Sequence, residues 1–496
     1  MIGLAGGPAL AQPAPLVSVS GGLVAGHRTE DGGALFRGVP FAAPPVGDLR
    51  WRPPQPVAPW PGVRLATERA PSCPQTAYGE WNAKDAARGR EDCLYLDIRT
   101  PRLDPKARAP VMVWIHGGGN RAGSAGDAVL SGLARRGVVL VAIQYRLAAL
   151  GFLSHPALTA ESPAHASGNY GLMDQVAALR WVHDNIARFG GDPANVTLVG
   201  ESAGAQDVGL LMLAPSAHGL FAKAIEESGT AGFGLPPHTL KQNEAVGEIV
   251  THRAGAPDHA SAAALRALPV EALLKAPEQA QVPGLADASF IWLQATADGK
   301  ALPQTPPEIL EAARQSPIPL IIGVNARELP LYENDPTAGV KLIFGAHAPQ
   351  ALKAYDLQDG RTPTPDPRLG DIATQIADDA TFRCPTVRVA ASQVRAGAPV
   401  WVYQYDRTPD HGVVSHGSEI VSVFDNRPVS PPDAKPTYAL QDYWVAFART
   451  GNPDAPGLAA WPRQTLAAAP YLQFSDAGPR VGANLRGAIC PLLHSF

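Results

Sequence analysis

Val196-Thr197-Leu198-Val199-Gly200-Glu201-Ser202-Ala203-Gly204 is the stretch on which the fold turns. Four apolar or β-branched residues read as a buried strand. Gly-x-Ser-x-Gly follows, and an Ala- and Leu-rich run can continue as a helix. A serine at the apex of a strand–turn–helix is the setting of a nucleophile elbow. The glycines have a steric reason: the serine backbone is strained there, and strand and helix pass too close for side chains. The pentapeptide alone is a weak signal. With 49 glycines in 496 residues, chance supplies one roughly a few tenths of a time in such a chain. A base, an acid and an oxyanion-stabilising loop must come from elsewhere in the sequence.

Outward from this stretch, nearly continuous apolar runs recur at 111–115, 138–143, 320–323 and 401–405. Such runs suit strands covered on both faces. Leu172, Val176, Leu179, Val182, Ile186 and Phe189 place one apolar stripe on a helix, which Gly190-Gly191-Asp192-Pro193 ends. Strands alternating with helices predict a mostly parallel sheet flanked by helices. The Pro- and Gly-rich stretches near 333–370 and 427–437 read as surface loops.

A hydrophobic content of 45% with 17% charged residues describes a globular chain with a large core. The formal net charge of -4 gives no reason to expect a nucleic acid or an anionic membrane surface as partner. No run of apolar residues is long enough for a membrane span. Met1 to Gln12 is small and apolar, and Ala9-Leu10-Ala11 resembles a leader cleavage site. Residues 1–15 therefore read as the remnant of a signal peptide or as a disordered N-terminus, and 16–496 as a single domain. The four cysteines, Cys73, Cys93, Cys384 and Cys490, permit three pairings if oxidised, or remain reduced in the core. A Cys73–Cys93 bridge would fit an exported protein.

His116-Gly117-Gly118-Gly119 directly follows the run ending at Ile115. Successive glycines let bare N–H groups turn toward one point, as an oxyanion hole requires. Gly118 and Gly119 are the candidate donors, with Ala203 as the third. Glu328 lies just beyond the run at 320–323, where the carboxyl ends of strands collect catalytic groups. His416 follows the run at 401–405, and His411 is its rival. Histidine suits the base role because its ordinary pKa near 6.5 lets it take and return a proton near neutrality. The order serine, acid, histidine is that of the α/β-hydrolases.

Several further motifs stand in order: Phe36-Arg37-Gly38-Val39-Pro40-Phe41, Pro44-Pro45-Val46-Gly47, Glu91-Asp92-Cys93-Leu94-Tyr95-Leu96, Tyr145-Arg146-Leu147, Gly168-Asn169-Tyr170-Gly171 and Phe189-Gly190-Gly191-Asp192-Pro193-Ala194-Asn195-Val196-Thr197. With the elbow, they make the chain resemble the type-B carboxylesterases, the family of cholinesterases and bacterial para-nitrobenzyl esterases. The resemblance implies an α/β-hydrolase fold with long loop and helical excursions forming a gorge. It implies ester hydrolysis through an acyl-enzyme with Ser202 as nucleophile, His416 as base and Glu328 as acid. Gly118, Gly119 and Ala203 would form the oxyanion hole, and Ser228 would support the acid from behind. It further implies the pairings Cys73–Cys93 and Cys384–Cys490, a small-molecule ester as substrate, and no cofactor or metal. A catalytically dead binding protein, a lipase, a thioesterase and an amidase are the competing readings on the same scaffold.

The chain departs from the family after the glycine run, where Asn120 and Arg121 replace an aromatic or small apolar residue. These two either simply complete a loop or make a polar acyl pocket suited to acids that carry a second polar or carboxylate group. Trp81, inside the Cys73–Cys93 segment, would wall the gorge, the rival reading being the quaternary-ammonium site of cholinesterases, and Glu201, beside the nucleophile, would line the pocket.

Overall fold

The strand-forming runs line up side by side in the computed structural model, which describes residues 13–280, 288–329, 335–358, 363–408, 412–424 and 440–493. The N-terminal leader reading, the stretch 427–437 and His411 lie outside the described residues. Eleven strands form the main sheet: β1 (His27–Arg28), β2 (Ala34–Pro40), β3 (Tyr95–Thr100), β4 (Ala109–Ile115), β5 (Val139–Ile143), β6 (Gly191–Glu201), β7 (Lys223–Glu227), β8 (Leu320–Asn325), β9 (Val400–Asp406), β10 (Pro470–Ser475) and β11 (Gly478–Ala483). Their spatial order is β11-β10-β9-β8-β7-β6-β4-β5-β3-β2-β1. The seven strands from β10 to β5 are parallel, and antiparallel strands finish both edges. A separate small sheet joins Leu16–Val19, Gly22–Ala25 and Val63–Leu65.

Each central strand is buried on both faces, which is why its sequence shows no polar alternation. Along β4, Val111, Val113 and Ile115 enter one core, while Met112 and Trp114 enter the other. The first core packs the sheet against α1 (Tyr170–Asn185), α2 (Ala203–Leu213) and α5 (Cys384–Arg395). The second packs it against α6 (Leu440–Thr450), whose Trp444 and Phe447 meet Trp401, Tyr403 and Trp461. Long excursions leave the sheet after β7 and after β8; the first carries α3 (Leu240–Arg253) and the second α4 (Ile372–Asp378).

The apolar stripe read from 172 to 189 is α1, continued by a 3₁₀ turn over Ile186–Phe189. Gly190 closes that turn at φ 85°, and β6 starts at once. The stretch near 333–370 is not a plain surface loop. Pro336–Phe344 and Ala348–Ala354 are helical. Val340, Phe344, Ala348 and Ala351 bury against Ile372, Ile376 and the Cys384–Cys490 bridge. Pro336 and Pro349 sit in the first turns of these helices, where a missing N–H costs nothing, and Pro363, Pro365 and Pro367 lie beyond them. Two disulfides are present, Cys73–Cys93 and Cys384–Cys490, closing 20 and 106 residues.

Candidate active site

The elbow is built as its sequence requires. Ser202 holds φ 55° and ψ -125°, a conformation that costs about 1–3 kcal/mol and persists only when its surroundings dictate it. They do so by hydrogen bonds on both sides: Ser202 N–H donates to the Glu227 carbonyl at 2.8 Å, and Gln206 N–H donates to the Ser202 carbonyl at 2.9 Å. Glycine is obligatory at two flanking positions. A Cβ on Gly200 would lie 2.3 Å from the Gly204 carbonyl oxygen, and one on Gly204 would lie 2.1 Å from that of Ile115. That last approach seats the start of α2 on the end of β4, so the loop after Ile115 lies beside Ser202. A Cβ on Gly117 would meet the Ser202 Cβ at 2.9 Å.

Gly118 and Gly119 adopt φ 105° and 68°, and the Gly118 carbonyl accepts from Arg121 and Ala122 within the loop. Ala203 is the first residue of α2, where an N–H has no partner inside the helix. The N–H groups of Gly118, Gly119 and Ala203 donate to no acceptor among the described residues. Free donors beside a strained serine are what a developing oxyanion needs.

His416 and Glu328 come together from the ends of separate strands. His416 Nδ1 lies 2.7 Å from Glu328 Oε2. Glu328 is itself held: Oε1 accepts the Asn325 N–H at 2.6 Å, and its own N–H donates to Asp378 Oδ2 at 2.9 Å. Arg383, fully buried, pairs with Asp378 and Asp379 and donates to the Ala326 carbonyl, fixing the turn that presents Glu328. The other imidazole nitrogen, Nε2, lies 3.3 Å from Glu201 Oε1 and makes no hydrogen bond among the described residues, to Ser202 included. Phe382 stands against the ring at 5.1 Å between centroids.

Behind the histidine lies a set of buried acids that the sequence did not announce. Glu419 accepts from Asn325 Nδ2 at 2.6 Å and from Ser228 Oγ at 3.1 Å. Asn325 Nδ2 also lies 3.0 Å from Ser228 Oγ. Ser228 thus connects to Glu328 through Asn325, whose Nδ2 lies 3.5 Å from Glu328 Oε2. Glu227 accepts from Trp444 Nε1 at 2.6 Å. Burial works to keep the imidazole neutral, but Glu201, Glu328 and Glu419 outweigh it and raise His416 to about 9. Burial in turn pushes Glu201 up to about 8 against the attraction of His416, and Glu419 up to about 7. It holds Glu227 well above the carboxylate range, with Glu419 adding to it. The one signal that could have found Glu419 is its place three residues after His416.

The residues expected to line a pocket divide. Glu201 is buried and faces His416. Trp81 is 60% exposed, with its ring edge 3.3 Å from the position of a Cβ on Gly118. Arg121 is partly exposed; its guanidinium lies 3.9 Å from the Tyr78 ring centroid and forms no ion pair among the described residues. Asn120 faces the core, where it lines a small enclosed cavity with Gln206 and Trp292. It is 1% exposed and turns inward at φ 54° to bond Asp207 Oδ1 at 3.1 Å. Asp207 attracted no notice in the sequence because a lone acid on an apolar helix announces no partner.

Among the described residues, no group of three or more His, Cys, Asp or Glu could hold a metal ion, and no helix is long and apolar enough to cross a membrane. The sequence model of the carboxylesterase family matches residues 13–341 and 347–492. Liver carboxylesterase 1 of Oryctolagus cuniculus is 36% identical over 481 residues, 86% of this chain and 83% of that protein. Carboxylesterase 1E of Mus musculus is 37% identical over 481 residues, 86% of this chain and 84% of that protein. Among solved structures, a PNB esterase superposes with a TM-score of 0.79 at 31% identity, covering 97% of this chain and all of its own. The Geobacillus stearothermophilus carboxylesterase EST55 gives 0.76 at 31% identity, with the same coverage.

Proposed function

The chain belongs to the carboxylesterase family and is a carboxylic ester hydrolase, and from that premise we propose that Ser202, His416 and Glu328 hydrolyse small-molecule esters through an acyl-enzyme. The observation that carries the assignment is the 2.7 Å contact between His416 Nδ1 and Glu328 Oε2, made across 88 residues of sequence beside the strained Ser202. His416 Nε2 removes the Ser202 proton as Oγ attacks the ester carbonyl. The carbonyl oxygen, now anionic, is held by the Gly118, Gly119 and Ala203 N–H groups, each donor typically contributing about 2.7–4 kcal/mol. The imidazolium returns its proton to the departing alcohol. A water molecule, deprotonated by the same nitrogen, then releases the acid. Glu328 fixes the tautomer with the Nδ1 proton facing it and stabilises the transient cation.

Residues 16–496 form the unit that carries this chemistry. Two disulfides favour an oxidising compartment, so the protein acts after export. Arg121 and Trp81 form the rim beside Gly118 and Gly119, where a guanidinium with no ion pair among the described residues favours esters that carry a second, anionic group. The decisive experiment is hydrolysis of a panel of chain-length and acid-substituted esters by the wild type and Ser202→Ala. The variant loses turnover on every ester. Full turnover in the variant would remove Ser202 from the mechanism.

A further inference from the structure

Two halves of the anion-stabilising site come from different elements. Gly118 and Gly119 ride on the loop after β4, whereas Ala203 is the first residue of α2. Their relative position must be held to a fraction of an ångström for three N–H groups to serve one oxygen.

One buried side-chain contact spans them. Asn120, next to Gly119, directs Nδ2 at Asp207 Oδ1, 3.1 Å away. Asp207 lies on α2, five residues beyond Ser202. Its second oxygen accepts from Gln175 Nε2 on α1. The acid is wholly buried and no cation accompanies it among the described residues; the amides of Gln175 and Asn120 oppose the burial that raises it to about 7. A buried carboxylate is costly to keep unless it is well hydrogen-bonded. The Asn120 end is anchored as firmly. Its carbonyl accepts the Ala148 N–H at 2.6 Å. The Tyr145 hydroxyl lies 3.3 Å from Asn120 Oδ1 and donates to the His116 carbonyl at 2.7 Å. Asn120 also holds φ 54°, so the loop reverses direction at this residue.

We propose that Asp207, acting through Asn120, is a positioning residue that sets the distance between the Gly118–Gly119 amides and the Ala203 amide. This rests on the reading of those three N–H groups as the oxyanion hole. Asp207 makes no hydrogen bond to Ser202 or His416 among the described residues, so its removal acts on the transition state through the relative placement of the loop and α2.

The test compares Asp207→Ala with Asp207→Asn, measuring kcat and KM on a neutral ester and the affinity of a trifluoromethyl ketone against its parent methyl ketone. Asp207→Ala leaves the Asn120 amide only its longer contact to the Trp292 carbonyl, 3.5 Å away. It lowers kcat roughly ten- to hundredfold with KM within about twofold, since removing a whole donor costs about 10²–10³ and here the donors are displaced, not deleted. Ketone affinity falls by the same factor as kcat/KM. Asp207→Asn restores kcat to within about threefold of the wild type, because its amide oxygen still accepts from Asn120 while Gln175 can rotate its free Oε1 toward the new donor. If Asp207→Ala does not fold, Asn120→Ala carries the same expectation. The proposal is overturned if folded Asp207→Ala keeps its kcat, if the loss lies in KM, or if Asn performs no better than Ala. A wild type that binds the trifluoromethyl ketone no tighter than the parent ketone would overturn the oxyanion-hole reading itself. A wild type that binds it tightly with Asp207→Ala equal to it would overturn only the positioning role.

Discussion

Glu201→Gln should move the pH dependence of catalysis toward acid, and the structure says by how much. Glu201 Oε1 stands 3.3 Å from His416 Nε2, the nitrogen that must be free of its proton to act as base. At that distance a full carboxylate stabilises the imidazolium by about 5 kcal/mol at an effective dielectric constant of about 20. At about 1.36 kcal/mol per unit, this is a ceiling of about 3.7 pH units. Glu328 and Glu419 remain in the variant and keep part of the elevation. The net shift is about two units. The sign follows directly: a neighbouring anion favours the protonated ring, so removing it lets the proton leave at lower pH.

The assay is a pH-stat titration of the acid released from an alkyl ester, giving kcat/KM from pH 5 to 10. This quantity follows the free enzyme. In the wild type it climbs with the loss of the His416 proton, whose pKa is about 9, so activity is still rising above pH 8. In Glu201→Gln the same limb lies near pH 7. A limb that moves by less than about half a unit, or toward alkaline pH, refutes the electrostatic account. A wild-type profile flat between pH 5 and 8 removes His416 from the role of base altogether.

Glu328→Gln should lower kcat by about three to four orders of magnitude while a trifluoromethyl ketone protects Ser202 as before, since the acid sets the tautomer of a ring that remains in place; a loss below tenfold counts against Glu328. Arg121→Ala should reduce the preference for carboxylate-bearing over neutral acyl esters about five- to thirtyfold in kcat/KM, with the neutral ester unchanged, and an unaltered ratio dismisses the rim cation. Replacing both Cys384 and Cys490 by serine opens a loop of 106 residues and should cost about 3–5 kcal/mol in urea unfolding. The Cys73–Cys93 pair carries Tyr78 and Trp81 within its loop, so its double serine variant should raise KM more than it lowers kcat; a pure kcat loss would separate that loop from substrate binding.

Much of the scaffold was legible because it depends on local rules. Val111-Met112-Val113-Trp114-Ile115 and Val138 to Ile143 could only be strands covered on both faces, and they became β4 and β5 at the centre of the sheet. The elbow was legible because the close approach of Gly200 to Gly204 and of Gly204 to Ile115 excludes any side chain. The region around 333–370 was misread since proline and glycine count was given more weight than the apolar spacing Val340, Phe344, Ala348 and Ala351, which only the Cys384–Cys490 core reveals as buried.

By itself the sequence determined the strand–turn–helix at Ser202 and the glycine loop after Ile115, because each is written in neighbouring residues, whereas Glu328 stood out from other carboxylates only through the family resemblance. Only the tertiary structure decided what the polar side chains around them touch. Asn120, whose departure from the family pattern raised the polar-pocket reading, faces the core because Asp207 waits there on another element. Glu201 lies against His416, and Glu419 reaches Glu328 through Asn325 and Ser228. Such pairs join residues tens to hundreds of positions apart, and a low-dielectric interior fixes their protonation. Neither the distance nor the burial is written in any local stretch of the chain.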